Sequence, residues 1–168
     1  MKILCHILLI FFMTNFAFSQ SSKTDSISKS KISELQFMVG KWEGSGWMMG
    51  RQGKSNFVQT EDISFKLDST AIHIEGKGMA NGKTIHDALA ILTYNKNDDN
   101  YLFRSYLPSG QNAEFKAELI DSKLYWYPNE NVRYIIWLTE NGQWYEKGEY
   151  QREGNWNQFF EMTLDKNE

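Results

Sequence analysis

Turn signals recur along this chain at an almost even spacing, and that leaves few folds open. They fall at Gly50 to Gly53, Asp68-Ser69, Asn81-Gly82, Asn95 to Asn100, Pro108 to Gly110, Asp121-Ser122, Pro128 to Asn131, Asn141-Gly142 and Glu153-Gly154. The runs between them are rich in Val, Ile, Thr, Tyr, Phe and Trp, which is the pattern of an all-β sandwich or barrel. About ten strands joined by short turns favour a single antiparallel up-and-down β-barrel, which removes exposed edges by closing on itself. Six Trp, eight Tyr and eleven Phe give such a barrel large apolar areas to bury.

The first residues are of another kind. Lys2 precedes the apolar run Ile3 to Met13, and Ala17-Phe18-Ser19 puts small residues at the −3 and −1 positions before Gln20. This reads as a signal peptide over residues 1–19, too short to span a bilayer, with cleavage between Ser19 and Gln20. The single cysteine, Cys5, lies inside it, so the exported chain is expected to be soluble and free of disulfides, in the periplasm or outside the cell. Residues 20–30 are Ser- and Lys-rich with one apolar member, Ile27, and read as a disordered leader. Ser30 then caps a short helix whose apolar stripe is Ile32, Leu35, Phe37 and Met38, and Gly40 ends it. The barrel domain takes residues 31–168. Net charge is −3 with Lys and Arg scattered, which argues against nucleic acid and anionic membrane surfaces as partners.

Turn lengths set a register. A two-residue type I′ turn at Asn81-Gly82 pairs Ala80 with Lys83, and then Gly76 with Asp87, Ile74 with Leu89 and Ile72 with Ile91. The turn at Asp68-Ser69 pairs Phe65 with Ile72, Ile63 with Ile74 and Glu61 with Gly76; the one at Gly50 to Gly53 pairs Gly46 with Phe57, Gly44 with Gln59 and Trp42 with Glu61. The next pairs Tyr94 with Tyr101, Ile91 with Arg104 and Leu89 with Tyr106. All four place Trp42, Ile63, Phe65, Leu67, Ile72, Ile74, Ile85, Leu89 and Ile91 on one face, the interior. Lys41, Glu43, Asp62, Lys66, His73, Glu75, Lys77 and His86 fall outside.

That inner face also carries Gly44, Gly46, Gly76 and Gly78, which either relieve curvature or leave room for a ligand. It carries polar groups too: Gln59, Glu61, Asp87, Arg104 and Tyr106. These form either a satisfied internal network or a polar ligand site, with Arg104 and Tyr106 gripping an anionic or carbonyl group. His73 and His86, both outward and about 13 Å apart along the strand direction, do not make a metal site, and no nucleophile elbow or phosphate-binding loop occurs.

The stretch Leu35-Gln36-Phe37-Met38-Val39-Gly40-Lys41-Trp42-Glu43-Gly44, followed by this many strands, resembles the calycin superfamily of lipocalin- and fatty-acid-binding-like barrels. More closely it resembles an exported family of unknown function within that group. The specific motif is Gly40-x-Trp42; the resemblance implies a Trp42 packed at the closed end beneath a ligand cavity, with a late arginine, here Arg152, stacked on it. The Thr-Asp-Tyr element of lipocalins is missing. The Arg104-x-Tyr106 pair is central rather than near the last strand, where fatty-acid-binding proteins place theirs, and no histidine after His86 could serve as in haem-binding relatives of the nitrobindin kind. The expectation is therefore an exported carrier or sensor that holds a small, partly apolar molecule without a cofactor. Trp42, Gln59, Glu61, Asp87, Arg104 and Tyr106 are its candidate contacts. The alternatives are an enzyme using Glu61, Asp87 or Arg104 in the same cavity, or a filled barrel that acts through its surface on another protein.

Overall fold

In the computed structural model, which describes residues 23–167, ten antiparallel strands close into one barrel. The expected signal peptide and its cleavage site lie outside the described residues. The strands are β1 (Gly40–Gly50), β2 (Gly53–Lys66), β3 (Ala71–Ala80), β4 (Lys83–Asn95), β5 (Asn100–Tyr106), β6 (Asn112–Ile120), β7 (Lys123–Asn129), β8 (Val132–Leu138), β9 (Trp144–Arg152) and β10 (Asn155–Asn167). Each pairs with its neighbours in sequence, and β1 pairs with β10 to close the sheet. The up-and-down barrel expected from turn spacing is the fold.

Tight turns explain the local accuracy of that expectation. Asn81 and Gly82 both take positive φ, at 50° and 72°, as a type I′ turn requires, and Ala80 pairs with Lys83. The β1–β2 and β2–β3 registers are those the turn lengths give, with Trp42 opposite Glu61, Gly44 opposite Gln59, Glu61 opposite Gly76 and Phe65 opposite Ile72. Leu67 is a correction. It sits in the β2–β3 turn with φ of 52° and is 78% exposed, so the inner face stops at Phe65.

A β-bulge reverses the faces of β4. The β3–β4 register shifts between Gly78 and Met79, where His86 and Thr84 are the partners and Ile85 is the extra residue. A bulge opposes two residues on one strand to one on the other, which reverses the in–out alternation beyond it. Gly76 consequently pairs with Ala88, Ile74 with Ala90 and Ile72 with Leu92. Asp87, Leu89 and Ile91 turn outward, and His86 turns inward.

The helix α1 (Ser26–Ser33) begins earlier than expected, within the stretch read as a leader. Asp25, not Ser30, is the cap: its carboxylate accepts from the Ile27 amide at 3.2 Å, satisfying a donor the helix leaves open. Lys96 and Lys29 tie the segment to the barrel through Asp25 and Asp68, at 2.6 and 2.8 Å. The Tyr101 hydroxyl donates to the Lys31 carbonyl at 2.9 Å. Ile32 of α1, Leu35 just before the 3₁₀ turn at Gln36–Met38, and Met38 at its end are fully buried and close this end of the barrel. Trp42 packs on that plug, 2% exposed, and its indole donates to the Met38 carbonyl at 2.8 Å. The cation above Trp42 is Lys166, with Nζ 5.2 Å from the ring centre. Arg152 is exposed beside Glu153, so it does not stack there.

Candidate functional site

Above the plug the barrel encloses a cavity of about 240 Å³. Met38 and Trp144 contribute to its lining near the plug, and Met48, Ile85 and His86 to its lining near the opposite, turn-bearing end. Its two sides differ in chemistry.

One side is aromatic. Trp126 of β7 stacks on Tyr134 of β8 with ring centres 4.4 Å apart, and on Phe103 of β5 at 4.9 Å, the planes within 6° of parallel. On β6 the residue opposite Trp126 is Ala117, small and fully buried, and the partner of Phe103 is Phe115, whose ring meets Trp126 at 5.4 Å. Phe160 of β10 meets Tyr134 edge-on and stacks on Phe57 of β2. Interlocked rings of this kind lose few rotamers on binding, so the wall is preformed.

The other side is acidic. Glu61 of β2 is 8% exposed and accepts a hydrogen bond from Gln59 Nε2 at 2.7 Å. Burial raises its pKa to about 7, against a smaller lowering by the Gln59 bond. Glu146 of β9 is 7% exposed, and burial, with the Glu61 charge adding to it, pushes its pKa up to about 8. The indole N–H groups of Trp126 and Trp144 lie near enough to Glu146 to offset a little of that rise. Trp144 Nε1 nonetheless completes no hydrogen bond among the described residues, although it is buried. Burial also raises the Tyr134 phenol above its ordinary range, with Glu146 adding to the shift. His86, at the rim, has its pKa lowered by partial burial, which outweighs the opposite pull of Asp87.

The inner glycines have specific reasons in this geometry. A Cβ at Gly76 would lie 2.8 Å from both Glu61 carboxylate oxygens, and one at Gly78 would lie 2.6 Å from Gln59 Oε1. The two polar side chains lie across β3 in the room these glycines leave. Gly44 and Gly46 instead admit the close approach of the β10 backbone, at Thr163 and Glu161. Gly76→Ala should therefore move the Glu61 carboxyl while leaving the backbone in place, costing about 1–2 kcal/mol, as for modest overpacking. Carbon-13 titration of Glu61 should show its pKa falling toward 4.5, its ordinary value. An unchanged titration would mean that the side chain does not lie over Gly76.

Of the six residues singled out from sequence, Gln59 and Glu61 line the cavity, and Trp42 lies in the core at its closed end. Asp87, Arg104 and Tyr106 do not line it. Arg104 points outward, paired with Glu114 of β6 at 2.7 Å and donating to Thr93 Oγ1 at 3.0 Å. Asp87 and Tyr106 are exposed on the same outer surface. The physical cause is the bulge at Ile85: β5 pairs with β4 in the register the turn gives, so the reversal of β4 carries Arg104 and Tyr106 outward with Asp87. Glu146 is the residue that sequence reasoning missed. Its signal was the alternation Trp144-x-Glu146-x-Gly148, which puts a carboxyl between a large and a small residue on one buried face.

No protein-family profile matches the chain, and no curated protein matches it. Solved structures do. The crystal structure of Rv2717c from M. tuberculosis aligns with a TM-score of 0.58 at 10% identity, over 82% of this chain and 97% of that one. The two chains share the barrel fold. Zebrafish ileal bile acid-binding protein complexed with cholic acid also aligns, with a TM-score of 0.49 at 13% identity, over 78% of this chain and 99% of that one.

Proposed function

We propose that this chain is an exported carrier or sensor whose barrel holds a small, partly apolar molecule. The observation that carries the reading is the unfilled interior. A packed barrel of this size would close its centre with side chains, whereas here about 240 Å³ is left between a preformed aromatic wall and a polar one. Pockets for drug-sized ligands run from about 300 Å³ upward, so the ligand is of one or two rings rather than a long acyl chain. Export is supported by the sequence of residues 1–19.

A second reading has its own support. Two carboxyls with pKa values raised to about 7 and about 8 share one cavity, which suits a general base and a general acid near neutral pH. In that reading Glu146 donates the proton and Glu61 receives one.

Native mass spectrometry of protein recovered from the exported fraction tests both. The expected spectrum shows a polypeptide beginning at Gln20 with a retained small molecule. A polypeptide beginning at Met1 would overturn the export reading, and an empty barrel unresponsive to added compounds would overturn the binder. Conversion of the retained molecule on incubation would make the protein an enzyme.

A further inference from the structure

We propose that the cavity selects small aromatic cations, protonated amines or amidines carried on one or two rings, and that Glu61 and Glu146 are their anchors. The inference rests on the reading of the barrel as a small-molecule binder and specifies the chemistry of its ligand.

The charge balance of the interior comes first. Glu61 from β2 and Glu146 from β9 line the cavity, with Tyr134 from β8 and His86 from β4 as the other titratable groups there. Among the described residues no lysine or arginine lines it; Arg104 is engaged with Glu114 on the outer surface. An anionic ligand would bring a third acidic group into a site of low polarity with no permanent cation to meet it, and His86, whose pKa burial lowers, is a poor substitute. A neutral apolar ligand would leave the carboxyls as they are. A cation gives them a partner.

The polar groups beside the carboxyls are placed for that outcome. Glu146 accepts no hydrogen bond of good geometry among the described residues, and the buried Trp144 indole beside it is a donor that completes none. The Trp126 indole lies close as well. These N–H groups can donate to either form of the carboxyl, but they stabilise a carboxylate more strongly than a protonated acid. Gln59 already donates to Glu61 in the same manner. The site thus holds donors prepared for two carboxylates that burial keeps from ionising fully when it is empty. A bound ammonium or amidinium supplies the missing counter-charge, and the displaced proton leaves to solvent. The carboxyl O–H is the one bond broken, and its proton passes to water or buffer.

The ligand's apolar part is set by the wall opposite, where Phe103, Trp126 and Tyr134 form one stack. The cavity volume limits that part to a small ring system.

Three probes of matched size separate the possibilities: 2-phenylethylammonium, 2-phenylethanol and phenylacetate, titrated calorimetrically at pH 7.5 in two buffers of different ionisation enthalpy. The expected result is that the ammonium binds at least about tenfold more tightly than the alcohol, that phenylacetate does not bind, and that ammonium binding releases protons to buffer. Glu146→Gln and Glu61→Gln, isosteric with the protonated side chains, should each reduce the preference for the ammonium, and the double variant should abolish it. Equal or tighter binding of the alcohol or of phenylacetate overturns the cation inference and leaves the binder reading standing. A preference that survives in the double variant overturns the assignment to these carboxyls. Failure of all three probes to bind the folded protein overturns the cation inference, whereas the binder reading falls only if native mass spectrometry finds the barrel empty and unresponsive.

Discussion

Trp42→Ala is expected to lower the stability of the barrel by about 3–5 kcal/mol, as for truncation of a buried aromatic. Trp42 joins the plug to the first strand. Its ring packs against Trp144 with centres 5.9 Å apart, and its indole N–H satisfies the Met38 carbonyl at the 3₁₀ turn. Truncation removes that packing and leaves a buried carbonyl without its donor, so the transfer loss and the unsatisfied acceptor add. For a domain of this size the melting temperature should drop by roughly 10 °C or more. Trp42→Phe keeps most of the volume and loses the hydrogen bond, so it should cost about 1–3 kcal/mol. Chemical denaturation of the three proteins checks the order. A midpoint for Trp42→Ala equal to that of the parent would mean that the plug does not depend on the barrel's first strand.

The legible part of the structure is the part governed by turns. Asn81-Gly82 and the Gly50 to Gly53 turn fix pairing through backbone conformations that few residues adopt, so composition reveals them. Through them the sequence places Trp42, Gln59 and Glu61 inward, where the structure has them. A bulge has no such signature. Ile85 is an ordinary strand residue, and nothing in Lys83 to Ala88 distinguishes a continuous ladder from one with an extra member. Because alternation has period 2, that one residue moves Asp87, Arg104 and Tyr106 out of the cavity together. The consequence is chemical as well as geometric. With Arg104 inside, the interior would have suited an anion; with Arg104 on Glu114 and Glu146 inside, it is acidic. The glycines at 76 and 78 suggest, from sequence, room for a ligand or relief of curvature. They are room for Glu61 and Gln59, which only the relation between two strands reveals.

The acidic interior also sets how stability varies with pH. Below pH 4.5, the ordinary value for both groups, Glu61 and Glu146 are protonated folded or unfolded and take no part. Between pH 4.5 and about 8 the unfolded chain ionises while the folded one retains protons, so the folded state binds more protons and loses stability as pH rises. Each unit of displacement corresponds to about 1.4 kcal/mol, which makes the loss on the order of 3 kcal/mol for Glu61 and 5 kcal/mol for Glu146. Above about pH 8 both states are ionised and the loss levels off. Glu149, where the opposing effect of burial is outweighed by Lys147 and Arg133 together, and Glu161, held chiefly by Tyr145, have lowered values and pull the other way, so the stability they contribute is lost only as acid protonates them in the folded state. Urea midpoints should therefore peak in mildly acidic solution, near pH 5, and fall toward pH 8. In Glu61→Gln/Glu146→Gln neither side chain ionises, so the fall should vanish and the variant should exceed the parent at pH 8 by several kcal/mol, an amount comparable with the whole stability of many domains. A parent profile that is flat from pH 5 to pH 8, or a double variant that declines in step with it, would show that the two carboxyls are hydrated rather than buried.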